Sequence, residues 1–241
     1  MSNVPAAAAV LDVVDRGRRA PWVERALALA ALAGADADVL LDEPVGRLQE
    51  AALDLHESVA GDALDALATC PRCGAPVEFT VPVAQLRDLA PAGSTDGSVV
   101  AGEFTVQWRA PTVRDLRASA ASADAGAELR RRCLAARRGG RGVAVERLPG
   151  AVLEEAESAM AAGDPLAEVL IALECPECGA DFDADLDPIG FVWTDLEASA
   201  ERTLREVDEL ARAYGWTEDE ILSLPAARRA SYLSIVRGGR P

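Results

Sequence analysis

The residues with the clearest chemical potential are two cysteine pairs of the same design. The segments Cys70–Gly74 (CPRCG) and Cys175–Gly179 (CPECG) repeat one five-residue pattern. Two cysteines separated by two residues can place both sulfurs on one metal ion, and the following glycine lets the chain turn tightly. Two such pairs supply the four thiolates of a tetrahedral structural zinc site, so we expect one structural Zn²⁺ ion. Its predicted ligands are Cys70, Cys73, Cys175 and Cys178.

The pairs are separated by about a hundred residues, whereas a compact zinc ribbon separates them by roughly 15 to 20. A shared site is still compatible with this insert, because each doubling of loop length costs only about 0.6 kcal/mol in closure entropy. Structural zinc binding supplies on the order of 10 kcal/mol or more. A shared ion would pin the segments that lead into the two pairs beside one another.

Redox chemistry is the main alternative for these cysteines, because a single pair can form a thioredoxin-like dithiol. The duplication argues against it, since a redox site needs one pair at a helix start after a strand. Catalytic zinc requires an open coordination position and usually histidine or carboxylate ligands, which four cysteines do not offer. No nucleophile elbow, phosphate loop, HExxH or dinucleotide fingerprint is present. We therefore expect a protein that is not an enzyme.

The other candidate ligands have simpler interpretations. Cys133 has no partner at ligand spacing and is expected to be a small buried apolar residue. The only histidine, His56, is expected on a helix surface or in packing. Aspartates alternate from Asp181 to Asp187, but a calcium loop would need a central glycine and a terminal bidentate glutamate. They predict a solvated acidic strand that leads into the start of a helix.

The composition limits the partners and the compartment. The formal net charge is −16, and every basic residue is an arginine. Nucleic acid is a poor partner for such a chain, whereas basic protein surfaces suit it. The longest apolar run, Ala26–Gly34, is far shorter than the roughly 20 residues that cross a bilayer. With no secretion signal at Met1, we expect a cytoplasmic protein with no membrane partner and no small-molecule substrate.

Alanine and leucine dominate the chain, which favours helices that pack through small aliphatic side chains. Periodicity predicts helices over Pro21–Ala33, from Pro44 onward, and over Asp62–Ala68, which leads into the first cysteine pair. Alternation predicts two strands, Val77–Val83 and Glu103–Trp108, as the arms of one hairpin. The segment between them, residues 90–98, predicts a flexible connection.

Helical character returns from Thr112 to Ala162, with a loop at residues 138–142. The arginines of residues 130–141 form the one basic cluster; they indicate a solvated helix face paired with glutamates, and docking on an acidic partner is the alternative. A helix over Pro165–Leu173 then leads into the second cysteine pair.

The longest predicted helix begins near Pro188 and ends at Gly215, with apolar residues at spacings of three and four. Thr217 and Glu220 predict a capping box for the next helix, and a last helix starts around Pro225. The predicted fold is mainly α with a small β/zinc-ribbon element and a long C-terminal helix followed by short helices. The expected regions are N-terminal helical (1–69), first zinc knuckle with hairpin (70–110), helical insert (111–174), and second knuckle with C-terminal helices (175–241).

Several motifs resemble small proteins encoded among contractile phage tails and contractile injection systems. They are the paired CPxCG knuckles, Phe191–Trp193 at the start of the long helix, and the closing segment from Ala213 through Leu224, Arg228-Arg229 and Tyr232-Leu233. The chain is similar to baseplate hub assembly chaperones, most specifically from about Leu173 to Val236. The closing motif also resembles phage tail assembly proteins.

The resemblance implies a non-catalytic assembly role through binding of baseplate or hub subunits. It carries the four cysteines over as zinc ligands and suggests a partner surface within Tyr214–Leu233, although its aromatic residues could instead pack a small local core. The candidate partner-binding residues are Trp193, Tyr214, Trp216, Arg228, Arg229 and Tyr232.

Two further functions stay open. A zinc-ribbon nucleic-acid or transcription accessory protein would need a basic face around the metal, and the acidic residues near Cys175 argue for the opposite sign. A thiol oxidoreductase would need an exposed cysteine of low pKa in one pair only.

Overall fold

The computed structural model describes residues 5–89 and 94–238, and helices make up more than half of them. In these residues the α-helices are α1 (Ala7–Gly17), α2 (Trp22–Leu32), α3 (Ala37–Leu40), α4 (Val45–Val59), α5 (Val83–Arg87), α6 (Val113–Ala120), α7 (Ala125–Cys133), α8 (Gly150–Gly163), α9 (Pro188–Tyr214), α10 (Glu218–Leu222) and α11 (Ala226–Val236). The predicted mainly α fold is confirmed.

The described strands form three small antiparallel sheets. The strands are β1 (Ala63–Thr69), β2 (Pro76–Pro82), β3 (Asp96–Ala101), β4 (Phe104–Arg109), β5 (Leu134–Arg138), β6 (Arg141–Val143), β7 (Val169–Glu174) and β8 (Asp181–Leu186). Strands β1 and β2 form one hairpin, β7 and β8 form another, and β3 to β6 form a four-stranded sheet in chain order. Each cysteine segment is therefore the turn of a two-stranded hairpin.

The two hairpins are copies of one design and share a core. Leu64 lies opposite Val81 in the first hairpin, and Val169 lies opposite Leu186, at the equivalent positions, in the second. All four side chains are at most 5% exposed and belong to one apolar cluster with Leu53 of α4. Because each hairpin turns its apolar face toward this cluster, the two cysteine turns come to the same end of the pair.

The larger core is helical. Helix α9 spans 27 residues, and it packs along α1, α2 and α4. Its apolar stripe, with Val192 and Leu196, is buried against residues such as Val14, Leu29 and Leu48. The amphipathic pattern of α9 anchors this helix in the core. Because β8 leads directly into the start of α9, the helix also positions the second hairpin.

The region between the hairpins builds its own core. Helix α8 packs on strands β3 and β4, and Val106, Leu134 and Ala156 are buried between helix and sheet. The region also contacts the helical core, since the Val45 N–H donates to the Pro111 carbonyl over 3.1 Å. This region, from α5 to the residue before β7, is called the insert below, and it folds against the start of α4.

The C-terminal helices cover the end of α9. Leu210, Ile221 and Leu233 are buried together. The predicted capping box is confirmed, because the Thr217 hydroxyl accepts from the Glu220 N–H and the Glu220 carboxylate accepts from the Thr217 N–H. This unit is compact and depends on α9 for one wall.

Two predicted helices are wrong. Asp62–Ala68 contains most of strand β1, and Pro165–Leu173 is a short 3-10 turn at Pro165–Ala167 followed by most of β7. Alanine and leucine favour helix locally, but here the partner strand after each cysteine turn provides a ladder and a buried face. Tertiary pairing therefore decides the conformation.

The predicted pairing in the middle of the chain is also wrong. Strand β2 pairs with β1, and β4 pairs with β3 and β5, so residues 77–83 and 103–108 are not arms of one hairpin. Leu134–Arg138 and Arg141–Val143 are strands within the stretch predicted to be helix and loop. Of the predicted flexible segment, residues 90–93 lie outside the described residues, and β3 begins at Asp96. The four-region division stays a prediction, and its first boundary falls inside the first hairpin.

Candidate metal centre

The hairpin turns hold their cysteines by the same backbone contacts. The Cys70 N–H donates to the Ala75 carbonyl and the Gly74 N–H donates to the Cys70 carbonyl, both over 2.9 Å. Cys175 repeats both contacts with the same distances in the second turn. Gly74 and Gly179 adopt φ values of 75° and 63°, a left-handed conformation that favours glycine. The repeated CPxCG pattern is thus a repeated turn.

The four predicted ligands lie together. The Sγ atoms of Cys70, Cys73, Cys175 and Cys178 are all within 4.8 Å of one another. Across the two turns, the Sγ atoms of Cys73 and Cys175 are 3.6 Å apart and those of Cys70 and Cys178 are 3.8 Å apart. Sulfurs placed tetrahedrally at about 2.3 Å from one zinc ion would be about 3.8 Å apart. The arrangement therefore has room for one metal ion bound by both turns.

The centre is half enclosed. Cys70 and Cys175 are each 1% exposed, and Val77, Leu173 and Phe182 pack beside them. Cys73, in contrast, is exposed. One cysteine of each turn thus faces the interior.

The two thiols of the first turn differ in how readily they ionise. Burial opposes ionisation of Cys70, but backbone N–H groups of Cys73 and Arg72 donate to its sulfur, and the pKa falls to about 7. The backbone N–H of Ala75 lowers the pKa of Cys73, but the neighbouring thiols outweigh it and the pKa is raised. Gathering four thiolates without a cation is unfavourable, whereas a divalent metal would replace the thiol protons and offset two of the four negative charges.

The aromatic residues suggested as a partner surface separate into two groups. Trp193 is 3% exposed and belongs to the helical core, where its ring lies against Gly17. Tyr214 and Trp216 stack with ring centroids 4.6 Å apart, and Tyr232 meets Trp216 edge-on at 4.9 Å. These three pack the C-terminal unit on one side and leave Tyr214 37% exposed.

The arginines suggested with them also differ. Arg229 is 8% exposed and forms an ion pair of 2.8 Å with Glu206 on α9. Arg228 is exposed. Arg228 and Tyr214 therefore remain available for a partner, whereas Arg229 fastens α11 to α9.

Four of the six arginines in the basic cluster are paired with glutamates, in keeping with the first interpretation, whereas Arg137 and Arg141 are exposed and form no ion pair among the described residues. Arg131 binds Glu128 and Glu146, and Arg130 binds Glu157 at 2.6 Å. Arg138 likewise binds Glu103 at 2.7 Å. Cys133 is 3% exposed, and burial raises its pKa to about 11, which confirms the prediction of a small buried residue.

His56 has a positioning role that the sequence did not reveal. It is 2% exposed, its Nε2 atom lies 2.9 Å from the Ala63 carbonyl of β1, and its Nδ1 atom lies 3.1 Å from Asp195 on α9. The side chain therefore joins α4, the first hairpin and α9. A packing role for His56 was expected from the sequence. The contact with Asp195 was not, because the two residues are far apart in the sequence.

Comparison of the chain with protein-family models, with curated proteins and with solved structures gave no match in any of the three. Within residues 5–89 and 94–238, no helix combines the length and apolar character needed to cross a membrane. Function is therefore inferred from the four-cysteine centre and the surfaces around it.

Proposed function

We propose that this protein is a non-catalytic assembly factor, or minor structural component, whose two zinc-ribbon hairpins are fastened by one structural Zn²⁺ ion. The observation that carries the proposal is the approach of four cysteine sulfurs to within 4.8 Å of one another. Four thiolates favour a tetrahedral metal such as zinc and leave no position open for a substrate.

The position of the centre explains what the metal would do. Each two-stranded hairpin is short, and such hairpins are only marginally stable alone in water. A metal bound by both turns would hold them together at the end of the pair that is farthest from their shared core of Leu64, Val81, Val169 and Leu186. The ion would therefore fix the relative orientation of two segments that are distant in the sequence.

The assembly role follows from the resemblance to contractile-tail proteins, and we propose baseplate or hub subunits as the partners. Two features support a protein partner over nucleic acid. The net charge is −16, and four of the six arginines in the basic cluster are held in internal ion pairs such as Arg131–Glu146. Binding requires no chemistry at the metal, in keeping with a centre made only of cysteines.

Zinc content is the first test. Protein purified without added metal should carry about one zinc per chain, the number that four thiolates bind. Cys175→Ser should lose the ion or bind it far more weakly, together with thermal stability. Cys133→Ser is the matched control, because Cys133 is equally buried but lies outside the centre. Absence of metal, with thiols that cycle to disulfides, would replace the structural-zinc account with the redox alternative.

Partner capture tests the assembly role separately. Co-expression with baseplate and hub proteins of a contractile particle should give a complex that survives purification, and Cys175→Ser should weaken it. A metal-loaded protein that captures none of these subunits would sink the assembly role and leave the zinc site standing. Salt-dependent binding to DNA or RNA would instead favour the nucleic-acid alternative.

A further inference from the structure

An open groove lies between the two hairpins, beside the metal centre. Its volume is about 520 Å³, and it runs from Pro71 at the first cysteine turn to Phe191 and Thr194 on α9. Its apolar lining includes Phe79 and Phe182, one from each hairpin. Both hairpins, which a metal bound by the cysteine turns would hold together, therefore contribute to the lining of the groove.

The two sides of the groove are strand edges with unpaired backbone. Strand β1 pairs only with β2, and β8 only with β7, among the described strands. Since the Cys70 N–H points toward β2, alternation turns the N–H and carbonyl groups of Leu67 and Thr69 outward. In the second hairpin the Cys175 N–H donates to the Ala180 carbonyl. By the same alternation, the N–H and carbonyl groups of Asp183 and Asp185 on β8 point outward.

The rim of the groove is acidic and apolar. Asp183 and Asp185 are exposed, and neither makes an ion pair within the described residues. Leu67 is 65% exposed on the opposite side. The described lining contains no arginine. An extended segment with alternating basic and apolar side chains would match the charge, the apolar floor and the backbone groups together.

We propose that this groove binds an extended, arginine- or lysine-rich segment of a partner protein, which adds as a strand to the exposed edges of the hairpins. The inference rests on the proposed protein-binding role and specifies its surface. Backbone hydrogen bonds to the strand edges hold the segment, an apolar side chain enters between Phe79 and Phe182, and basic side chains meet Asp183 and Asp185. The metal keeps the two edges at a fixed separation.

The test is selection of peptides from a phage-displayed library with randomised segments of about eight residues, an ordinary strand length. The target is the zinc-loaded full chain. The binding-site variant is Leu67→Ser with Asp183→Asn and Asp185→Asn. The matched control is Val100→Ser with Glu154→Gln and Glu155→Gln, because Val100 is 69% exposed on the insert and both glutamates are exposed on α8. Both variants lose one exposed apolar side chain and two carboxylates.

Selected peptides should alternate basic and apolar residues and bind the binding-site variant at least about tenfold more weakly than the control. Their binding should slow hydrogen exchange at the amides of Leu67, Thr69, Asp183 and Asp185. Proline at an alternate peptide position should reduce affinity, because it removes a backbone donor.

Three results would overturn the groove proposal. They are failure to enrich any peptide, equal weakening in both variants, and a homodimer that dissociates in the binding-site variant, since a second copy would then cover the groove. Each is compatible with zinc binding and with capture of a subunit through another surface. Failure here is thus distinguishable from failure of the proposed function.

Discussion

The cysteine hairpins and the four-stranded insert stabilise β-structure by different means. The insert pairs four strands and covers one face with α8, which buries Val106, Leu134 and Ala156. Each hairpin has two strands, and both depend on one shared apolar cluster. Three or more strands with a covered apolar face can be stable alone, whereas a single hairpin is marginal. A metal can therefore supply the hairpins with the constraint that strand number supplies to the insert.

Metal removal should produce the largest difference in stability between the hairpins and the insert. A chelator removes binding free energy on the order of 10 kcal/mol, all of it at the cysteine turns. Hydrogen exchange should then accelerate in β1, β2, β7 and β8, while amides of β4 and β5 stay protected. Re-addition of zinc is the control and should restore protection. Equal loss of protection in the insert would contradict the comparison, because the insert would then depend on the metal.

The four cysteines that lie together could be named from the sequence, because each pair has the spacing of two metal ligands and the pattern occurs twice. Two residues between cysteines and a following glycine specify a turn almost independently of the rest of the chain. The long helix was equally accessible, since the apolar stripe of α9 persists over 27 residues and ends before Gly215. Each CPxCG turn, like the stripe of α9, is encoded within one continuous segment, and the repetition of the turn indicated that the two pairs belong together.

The strands that carry the cysteines could not be predicted in the same way. Ala63–Thr69 and Val169–Glu174 have helix-favouring alanine and leucine, and their strand conformation depends on partners across the turn. The sheet of the insert depends on pairing between β4 and β5, which are separated by two helices. The groove combines residues of β1, β8 and α9, so no local pattern indicates it.

A core substitution in the insert tests whether this region is stabilised by its own apolar core, independently of the metal centre. Leu134 is 5% exposed, so Leu134→Ala should lower the free energy of unfolding by about 2 to 5 kcal/mol. Zinc stoichiometry should not change. Leu170→Ala on β7, where Leu170 is 57% exposed, is the control and should change stability by no more than about 0.5 kcal/mol. Loss of zinc from Leu134→Ala would show that the insert core supports the metal centre.

Asp115 tests a contact within the insert, between the first turn of α6 and Arg109 at the end of β4. Burial would raise its pKa, but hydrogen bonds from Arg109 and Thr112 lower it to about 2. Because this pKa lies below the unfolded value of 3.8, its stabilising effect is present above about pH 4 and is lost as pH falls toward about 2. Asp115→Asn should cost about 1 to 2 kcal/mol at neutral pH, as for a lost cap.

Denaturant unfolding at several pH values would measure this effect. The native chain should lose stability between about pH 4 and pH 2, and Asp115→Asn should lose less over that interval. Asp12→Asn, at an exposed aspartate of α1, is the control and should follow the native curve. Parallel curves for the native chain and Asp115→Asn would show that the Arg109 contact does not hold the carboxylate ionised.

Asp164 joins the end of the insert to the start of α4, and its substitution should have the smallest effect. Its carboxylate accepts from the Gly46 N–H over 2.9 Å, and burial raises its pKa. A raised pKa means that this group's contribution to stability is present below the unfolded pKa and is lost as pH rises through the folded pKa.

Asp164→Asn retains an acceptor for the Gly46 N–H without a buried charge. At neutral pH its free energy of unfolding should therefore match that of the native chain or exceed it by less than about 1 kcal/mol. Asp164→Ala removes the acceptor and should instead destabilise by about 1 kcal/mol. Equal destabilisation by both variants in thermal unfolding would show that the charge itself, rather than the hydrogen bond to α4, holds the insert against the helical core.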